Sequence, residues 1–427
     1  MSGRFALVAL LVLAGALPAL AGPSTTELLP GNGKDGFNLV ITGDGWSDED
    51  LKTKWPAAVQ SVVDGLFTID PYSYLKNAFH VVRIDVASKQ HGCRFSDPPT
   101  CFRKDLGYEF DDDGKLTKSP PEWTDDKKKE MQLRETHYGL TWSGCTAPTV
   151  TADVRKKLKD DLGDIPCTVA IIITPDEEIN NGCSSPGDPY VIIMNTIDKA
   201  DMGDFKGTLA HELGHAFFRL GDEYPGRKKK PTNEPEQPNC TLNNDKETVK
   251  WGYLTKTISP GGMGAPDCYH GLDPCRMNDV YPYPERFCIV CAQAMTERVS
   301  AQYRFIESTD PSGSILPKYT ALNPIHFKVK MRGSSASEYA MSWVYDGKNL
   351  GPGTVTPGGS GPTSEFTLNR PPMSFGIHRM SFLVEDQHNI IKKNPDAVDK
   401  APQSKDWWLT IAPSNPILPL PGIDWSW

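Results

Sequence analysis

The sequence predicts an α+β domain followed by an all-β, immunoglobulin-like sandwich. Two observations predict it. Over roughly the first 300 residues, short β-rich runs alternate with helical patterns, the texture of an α/β or α+β domain. Beyond about residue 308 helical periodicity stops and short alternating strands follow at close spacing, which is sandwich texture. A chain of 427 residues is also too long for one ordinary core, so two domains are expected.

The elements are justified in order. Residues 1–21 read as a secretory signal peptide. One positive charge (Arg4) precedes an apolar run from Phe5 to Leu17, and Pro18-Ala19-Leu20-Ala21 ends in a small-x-small cleavage pattern. A membrane anchor is the competing reading, but the run is short for a bilayer and small residues follow it where basic ones would stop transfer. No Cys stands at the cut and no later segment is apolar enough to span. The mature chain is therefore expected to be secreted, or periplasmic in a Gram-negative host, with no membrane span.

A catalytic domain over 22–307 follows. Phe37 to Thr42 is a buried strand ending in the turn Gly43-Asp44-Gly45. A helical pattern runs from about Asp48 to Leu66, and Phe79 to Val86 is a second strand. Residues 103–145 are charged, with Asp111-Asp112-Asp113, Pro120-Pro121 and Lys127-Lys128-Lys129, and read as a surface insertion. The aspartate run lacks the alternate-residue spacing of a calcium loop. Asp153 to Leu162 is a polar helix; Val169 to Thr174 and Tyr190 to Met194 are strands. Ser308 to Ser314 is linker-like. A β-sandwich over 318–413 takes strands from His326 to Met331, Tyr339 to Tyr345, Ser364 to Leu368, His378 to Val384 and Trp407 to Ile411, with Asp346-Gly347 as a hairpin turn. His326, His378 and His388 are ordinary strand and loop residues there. Residues 414–427 form a Pro-rich tail.

Composition narrows the function. Lys plus Arg number 45 against 54 Asp plus Glu, a net charge of −9, which gives no footprint for nucleic acid. The 38% hydrophobic and 23% charged residues exclude wholesale disorder. The ten cysteines are an even number, and in an exported protein they read as disulfides whose connectivity stays open. Two competing readings are a redox pair at Cys288 and Cys291, and a structural zinc knot of these two with Cys268, His270 and Cys275. Asn239-Cys240-Thr241 is a glycosylation sequon, meaningful only in a host that glycosylates.

The informative stretch runs from Thr208 to Tyr224. His211 and His215 are four apart, so on a helix they share one face and can reach one zinc ion. Glu212 stands where it can hydrogen-bond a zinc-bound water. Leu209, Leu213, Ala216 and Leu220 fall within roughly 60° of arc on the opposite side, so one face is buried while the other holds metal. A catalytic zinc needs a third protein ligand and an open position. On a straight helix Asp222 would lie about 10 Å along the axis from His215, too far to share a metal. Gly221 is read as the left-handed helix stop that brings Asp222 back. Asp222 is the expected third ligand and Glu223 its competitor.

His211-Glu212-Leu213-Gly214-His215 followed by Leu220-Gly221-Asp222-Glu223-Tyr224 resembles the IgA-peptidase family of secreted zinc metallopeptidases. The strand and turn ending Gly43-Asp44-Gly45-Trp46 are similar to that family's first strand. Cys275-Arg276-Met277-Asn278 and Phe287-Cys288-Ile289-Val290-Cys291 resemble its tail segment. The resemblance spans roughly residues 36–300. It implies a metzincin-like fold, a mixed sheet with an active-site helix and a later methionine turn. It further implies one catalytic Zn2+ on His211, His215 and Asp222, with Glu212 as base and Met277 as the turn methionine. Ordinary metzincins place the third ligand six residues after the second His, where this chain has Gly221; Asp222 is seven on, as in the resembled family.

The expected function is a secreted zinc-dependent endopeptidase acting on protein or peptide substrates. Tyr224, Tyr269 and His270 are candidate oxyanion donors, though residues of these types are more often structural than catalytic. The alternatives are a zinc hydrolase of non-peptide amides or esters, an exported protein- or carbohydrate-binding protein with a non-catalytic zinc site, and thiol chemistry at Cys288 and Cys291.

Overall fold

The computed structural model describes residues 23–412 apart from 32–35, 98–108, 111–115, 119–124, 144–147, 176–181, 197–201, 225–228, 279–285, 303–305, 317–318, 321–323, 333–338, 359–360, 370–375 and 387–402. The expected signal peptide, the aspartate run 111–113 and the tail 414–427 lie outside the described residues.

The N-terminal domain is built on a six-stranded mixed sheet. Its strands are β1 (Ser24–Leu29), β2 (Phe37–Gly43), β3 (Phe79–Asp85), β4 (Val169–Pro175), β5 (Gly182–Ser185) and β6 (Tyr190–Thr196). They lie in the order β1-β3-β2-β4-β6-β5. β3, β2, β4 and β6 are parallel, while β1 and β5 are antiparallel edge strands. Strands buried on both faces need apolar residues at every position, which is why β2 and β4 read as continuous apolar runs rather than alternating ones.

Successive residues serve opposite faces. Leu39, Ile41, Ile171 and Ile173 meet α1 (Trp55–Leu66), α3 (Met202–Phe218) and α4 (Ile289–Gln302). Val40, Ala170 and Ile172 meet α2 (Ala152–Leu162) through Val154, Leu158 and Leu162. The result is a helix–sheet–helix sandwich with α3 on the first face. The single helix expected from Asp48 is broken at Lys54. A capping box between Ser47 and Asp50 starts a short first helix, and α1 begins afresh with Pro56 in its first turn.

The segment 103–145 is not wholly a surface insertion. Met131, Tyr138, Leu140 and Trp142 are buried against the second face, and Thr141–Ser143 pairs with Arg94–Asp97. Asp44, just after β2, explains the return of the chain. Its carboxylate accepts the backbone N–H groups of Tyr138 (2.6 Å) and Leu140 (3.0 Å) and the Thr136 hydroxyl (2.9 Å).

The C-terminal region is a sandwich of a four-stranded and a five-stranded sheet. Along Ile325–Met331 every second side chain is buried, and Trp343 and Trp407 stack at 5.7 Å in the shared core. The expected linker at 308–314 is partly strand: Ile306–Asp310 pairs with Ile325–Met331, so the sandwich starts ahead of residue 318. Asp346 and Gly347 both take positive φ (45° and 82°), the backbone of a tight hairpin turn. Among the described residues no helix is long and apolar enough to cross a membrane.

Candidate metal centre

α3 carries His211 and His215 on one side and packs the other into the core. Leu209, Leu213 and Phe217 are buried, while His211, Glu212 and His215 are half-buried. Gly214 lies between the histidines for a steric reason. A Cβ there would stand 2.8 Å from the Met277 sulfur, so the glycine admits Met277 beneath the helix. Met277 is fully buried at that position.

The helix ends at Phe218, short of the expected stop at Gly221, and by a different residue. The left-handed residue is Arg219 (φ 55°), and Gly221 is not in that conformation. The Leu220 N–H reaches back to the Gly214 carbonyl (3.1 Å). Gly221 matters instead for close approach, since a Cβ on it would lie 2.6 Å from the Met263 sulfur and 2.8 Å from the Cys240 sulfur. After this reversal, Met263 N–H donates to the Asp222 carbonyl and Glu223 N–H to the Met277 carbonyl, each at 2.7 Å.

Three donor atoms then converge. His211 Nε2 and His215 Nε2 are 3.1 Å apart. Asp222 Oδ1 is 3.1 Å from His215 Nε2 and 3.5 Å from His211 Nε2. The other ring nitrogens fix the tautomers. His211 Nδ1 lies 3.0 Å from the Arg276 carbonyl, and His215 Nδ1 lies 2.6 Å from the Leu220 carbonyl. A carbonyl only accepts, so each Nδ1 carries the proton and each neutral ring turns an Nε2 lone pair inward. Two imidazole lone pairs and a carboxylate oxygen facing one another repel unless a cation lies among them. A zinc tetrahedron with bonds of about 2.0–2.1 Å has donor–donor edges of roughly 3.3 Å. The residues fit a zinc ion on that ground.

The electrostatics of the trio agree with strong mutual pairing. Burial alone would raise the Asp222 carboxyl, but the adjoining His211 and His215 rings, acting as donors and charges when no metal takes their Nε2 lone pairs, hold it far below the usual carboxylate range. Burial opposes charging of His215, yet Asp222 raises it overall. Burial first, and the Glu212 charge after it, push the Cys183 thiol up to about 11. The same charge adds to the rise at His215. Glu212 follows His211 on α3, the helix that borders β5.

Glu223 does not join this trio. Consecutive residues of an extended chain point to opposite sides, and Glu223 is fully buried in a second cluster with Cys275, Cys288 and Cys291. Burial pushes its carboxyl up to about 8, with the Cys288 charge adding to the rise. Asn239 Nδ2 donates to Glu223 Oε1 at 3.0 Å. The same amide accepts from Gly221 N (2.7 Å) and donates to the Gly221 carbonyl (2.8 Å). Asn239 is itself fully buried, so the sequon is not available in the folded chain. His270 is also buried, with Nδ1 3.6 Å from Glu223 Oε2, and so faces Glu223 rather than an open substrate site.

The disulfide expectation is not met among the described residues. Cys93, Cys167, Cys183, Cys240, Cys268, Cys275, Cys288 and Cys291 are all thiols, and Cys101 and Cys145 lie outside the described residues. The expected grouping of Cys268 with the Cys288 pair also differs. Cys268 lies with Cys240 and Ala265 in a small separate core. The zinc-knot reading grouped Cys275, Cys288 and Cys291, which do lie together, but it missed Glu223 as their fourth member, and the contacts of Asn239 were missed as well, because both depend on segments far apart in the chain.

No protein-family model matches the chain, and no curated protein matches it. Among solved structures, two of the CARDB domain of the PF1109 protein from Pyrococcus furiosus are similar to part of it. The solution structure is 13% identical, covering 22% of this chain and 84% of that one, with a TM-score of 0.17. The crystal structure, in complex with di-metal ions, is 13% identical and covers 23% of this chain and 84% of that one, also at 0.17.

Proposed function

We propose that the chain is an exported zinc-dependent endopeptidase of metzincin-like type, with His211, His215 and Asp222 as metal ligands and Glu212 as general base. The observation that carries the reading is the convergence of two Nε2 lone pairs and one carboxylate oxygen within 3.1–3.5 Å, both imidazoles being locked by backbone carbonyls. Three protein ligands leave a tetrahedral ion one open position, the arrangement of catalytic rather than structural zinc.

Zinc held there supplies a water of pKa near 7 instead of about 16 and a Lewis acid for the scissile carbonyl. The chain's own residues do the rest. The Glu212 carboxylate takes the proton of the attacking water and returns it to the leaving amine. Asp222 adds a fixed negative charge to the ligand set, and the Arg276 and Leu220 carbonyls keep both rings in register. β5, the antiparallel last strand of the sheet, borders α3 and offers a direction along which an extended peptide can be laid.

The test is digestion of a mixed peptide library by the purified protein with and without a chelator. The reading expects internal cleavages that vanish on chelation and return with added zinc. Cleavage indifferent to chelation, or none at all in the zinc-loaded protein, would overturn it.

A further inference from the structure

We infer that Glu223, Cys275, Cys288 and Cys291 form a second metal site, a closed structural centre whose donor set selects zinc. It is separate from the proposed catalytic centre and needs no peptidase activity to exist.

The four donor atoms, three sulfurs and one carboxylate oxygen, lie within 4.8 Å of one another. Cys275 Sγ is 3.7 Å from Cys291 Sγ. Glu223 Oε1 is 3.0 Å from Cys291 Sγ and 4.0 Å from Cys288 Sγ. A tetrahedral zinc with sulfur at about 2.3 Å and oxygen at about 2.0 Å has edges of roughly 3.8 Å between sulfurs and roughly 3.5 Å from sulfur to oxygen. The Cys275–Cys291 separation matches the sulfur edge, and the two sulfur–oxygen separations, 3.0 and 4.0 Å, lie on either side of the sulfur–oxygen edge. Thiolate and carboxylate ligands together suit zinc, and a site with four protein ligands has no position left for substrate.

Burial points the same way. Glu223, Cys275 and Cys291 are 0% exposed and Cys288 is 5% exposed. Glu223 Oε2 has no hydrogen-bond partner among the described residues, and neither has the nearby His270 Nδ1. His270 Nε2 lies 3.2 Å from the Pro260 carbonyl, so in the neutral ring the proton is on Nε2 and Nδ1 turns a lone pair towards Glu223. These two atoms face each other at 3.6 Å beside the cluster, while the other carboxylate oxygen, Oε1, is the one turned to the sulfurs. A disulfide answers less well. Three sulfurs allow one bond, which would leave the third thiol and the carboxylate buried without it.

The surrounding contacts are those of a metal–thiolate site. The Cys288 backbone N–H donates to Cys275 Sγ at 3.2 Å, and Asn239 Nδ2 holds Glu223 Oε1. Cys291 lies in the first turn of α4, whose N-terminal end favours negative charge. The residual charge of −2 equals that of an ordinary four-cysteine zinc site.

The test uses the full chain as His215→Ala, which removes a ligand of the other centre and leaves this cluster intact. Metal analysis is expected to find two zinc ions per chain in the parent and one in His215→Ala. X-ray absorption on His215→Ala should then show a sulfur-dominated shell at about 2.3 Å. Adding Cys291→Ser to that background should remove the remaining zinc. Because that double variant can fail to fold, the absorption spectrum of His215→Ala decides alone. Absence of zinc from His215→Ala would overturn the inference. So would a peptide, two hydrogens lighter, joining Cys275 to Cys288 or Cys291. An inactive parent that holds two zinc ions sinks only the peptidase reading; an active parent with one zinc ion sinks only this one.

Discussion

Asn239 offers the sharpest test of how the third ligand is positioned. Its amide makes three hydrogen bonds, two to Gly221 and one to Glu223, and so brackets Asp222 on both sides. All lie in a buried setting, where a donor or acceptor left without its partner costs about 1–3 kcal/mol. Asn239→Ala should therefore cost roughly 3–6 kcal/mol. For a large domain each kcal/mol is worth about 2–4 °C, so the midpoint of thermal unfolding should fall by on the order of 10 °C. Asn239→Asp sharpens the argument. It keeps the acceptor for the Gly221 N–H but sets a carboxylate oxygen against the Gly221 carbonyl and the Glu223 carboxyl. Being almost isosteric, it removes donors rather than volume, and it should destabilise at least as much as Asn239→Ala. Scanning calorimetry gives the midpoints, and metal analysis at limiting zinc shows whether occupancy of the histidine site drops with them. A pair of variants that melt within a degree or two of the parent, with full zinc, would refute the bracketing role.

Three further outcomes are expected. Glu212→Ala should retain zinc at the histidine site yet lose at least 10²–10⁴-fold in kcat, because only the proton acceptor is removed; peptide turnover with metal analysis checks this, and an active variant ends the role of Glu212. Asp222→Ala should lower zinc stoichiometry, since it removes one of three protein ligands; unchanged occupancy would assign the third position to another group. Zinc occupancy should also fall with acidification, because a proton and the metal compete for each Nε2. Burial lowers the charging of His215 but Asp222 outweighs it and raises it, so without metal the ring is protonated at a higher pH than an ordinary histidine. The apparent zinc affinity should therefore begin to weaken above the ordinary imidazole range, and an affinity that does not change with pH down to the carboxylate range would contradict the ligand set.

What was legible in the sequence was local. His211 and His215 are related by one helical turn, so their shared face follows from helix geometry alone. β2 and β4 were visible as apolar runs because parallel strands are buried on both faces. The reversal at the end of α3 was legible in outcome but not in place or agent. Gly221 looked like the left-handed residue, yet Arg219 takes that conformation and Gly221 is instead required by the sulfurs of Met263 and Cys240. What depended on distant segments was not legible. The burial of Tyr138 and Leu140 follows from one carboxylate, Asp44, more than 90 residues earlier. The grouping of Glu223 with three cysteines needs α4 to pack beneath α3, which no local pattern encodes.

The same geometry explains why two adjacent acidic residues end in opposite environments. Asp222 is partly exposed beside two imidazoles, and its carboxyl is driven far down; Glu223 is fully buried among sulfurs, and its carboxyl is pushed up to about 8. Their Cα atoms are only about 3.8 Å apart, so neither can shift without dragging the other. The backbone between them is also pinned, at the Asp222 carbonyl by Met263 and at the Glu223 N–H by Met277. The Met277 segment in turn supplies the Arg276 carbonyl to His211 and the Cys275 sulfur to the buried cluster. A ligand carried on a loop is ordinarily less precise than one on a helix. Here the loop is fastened on its far side, so Asp222 gains the fixed placement that His211 and His215 draw from α3. A change confined to the buried cysteines should consequently be felt at the histidines, although no atom of the two clusters is shared.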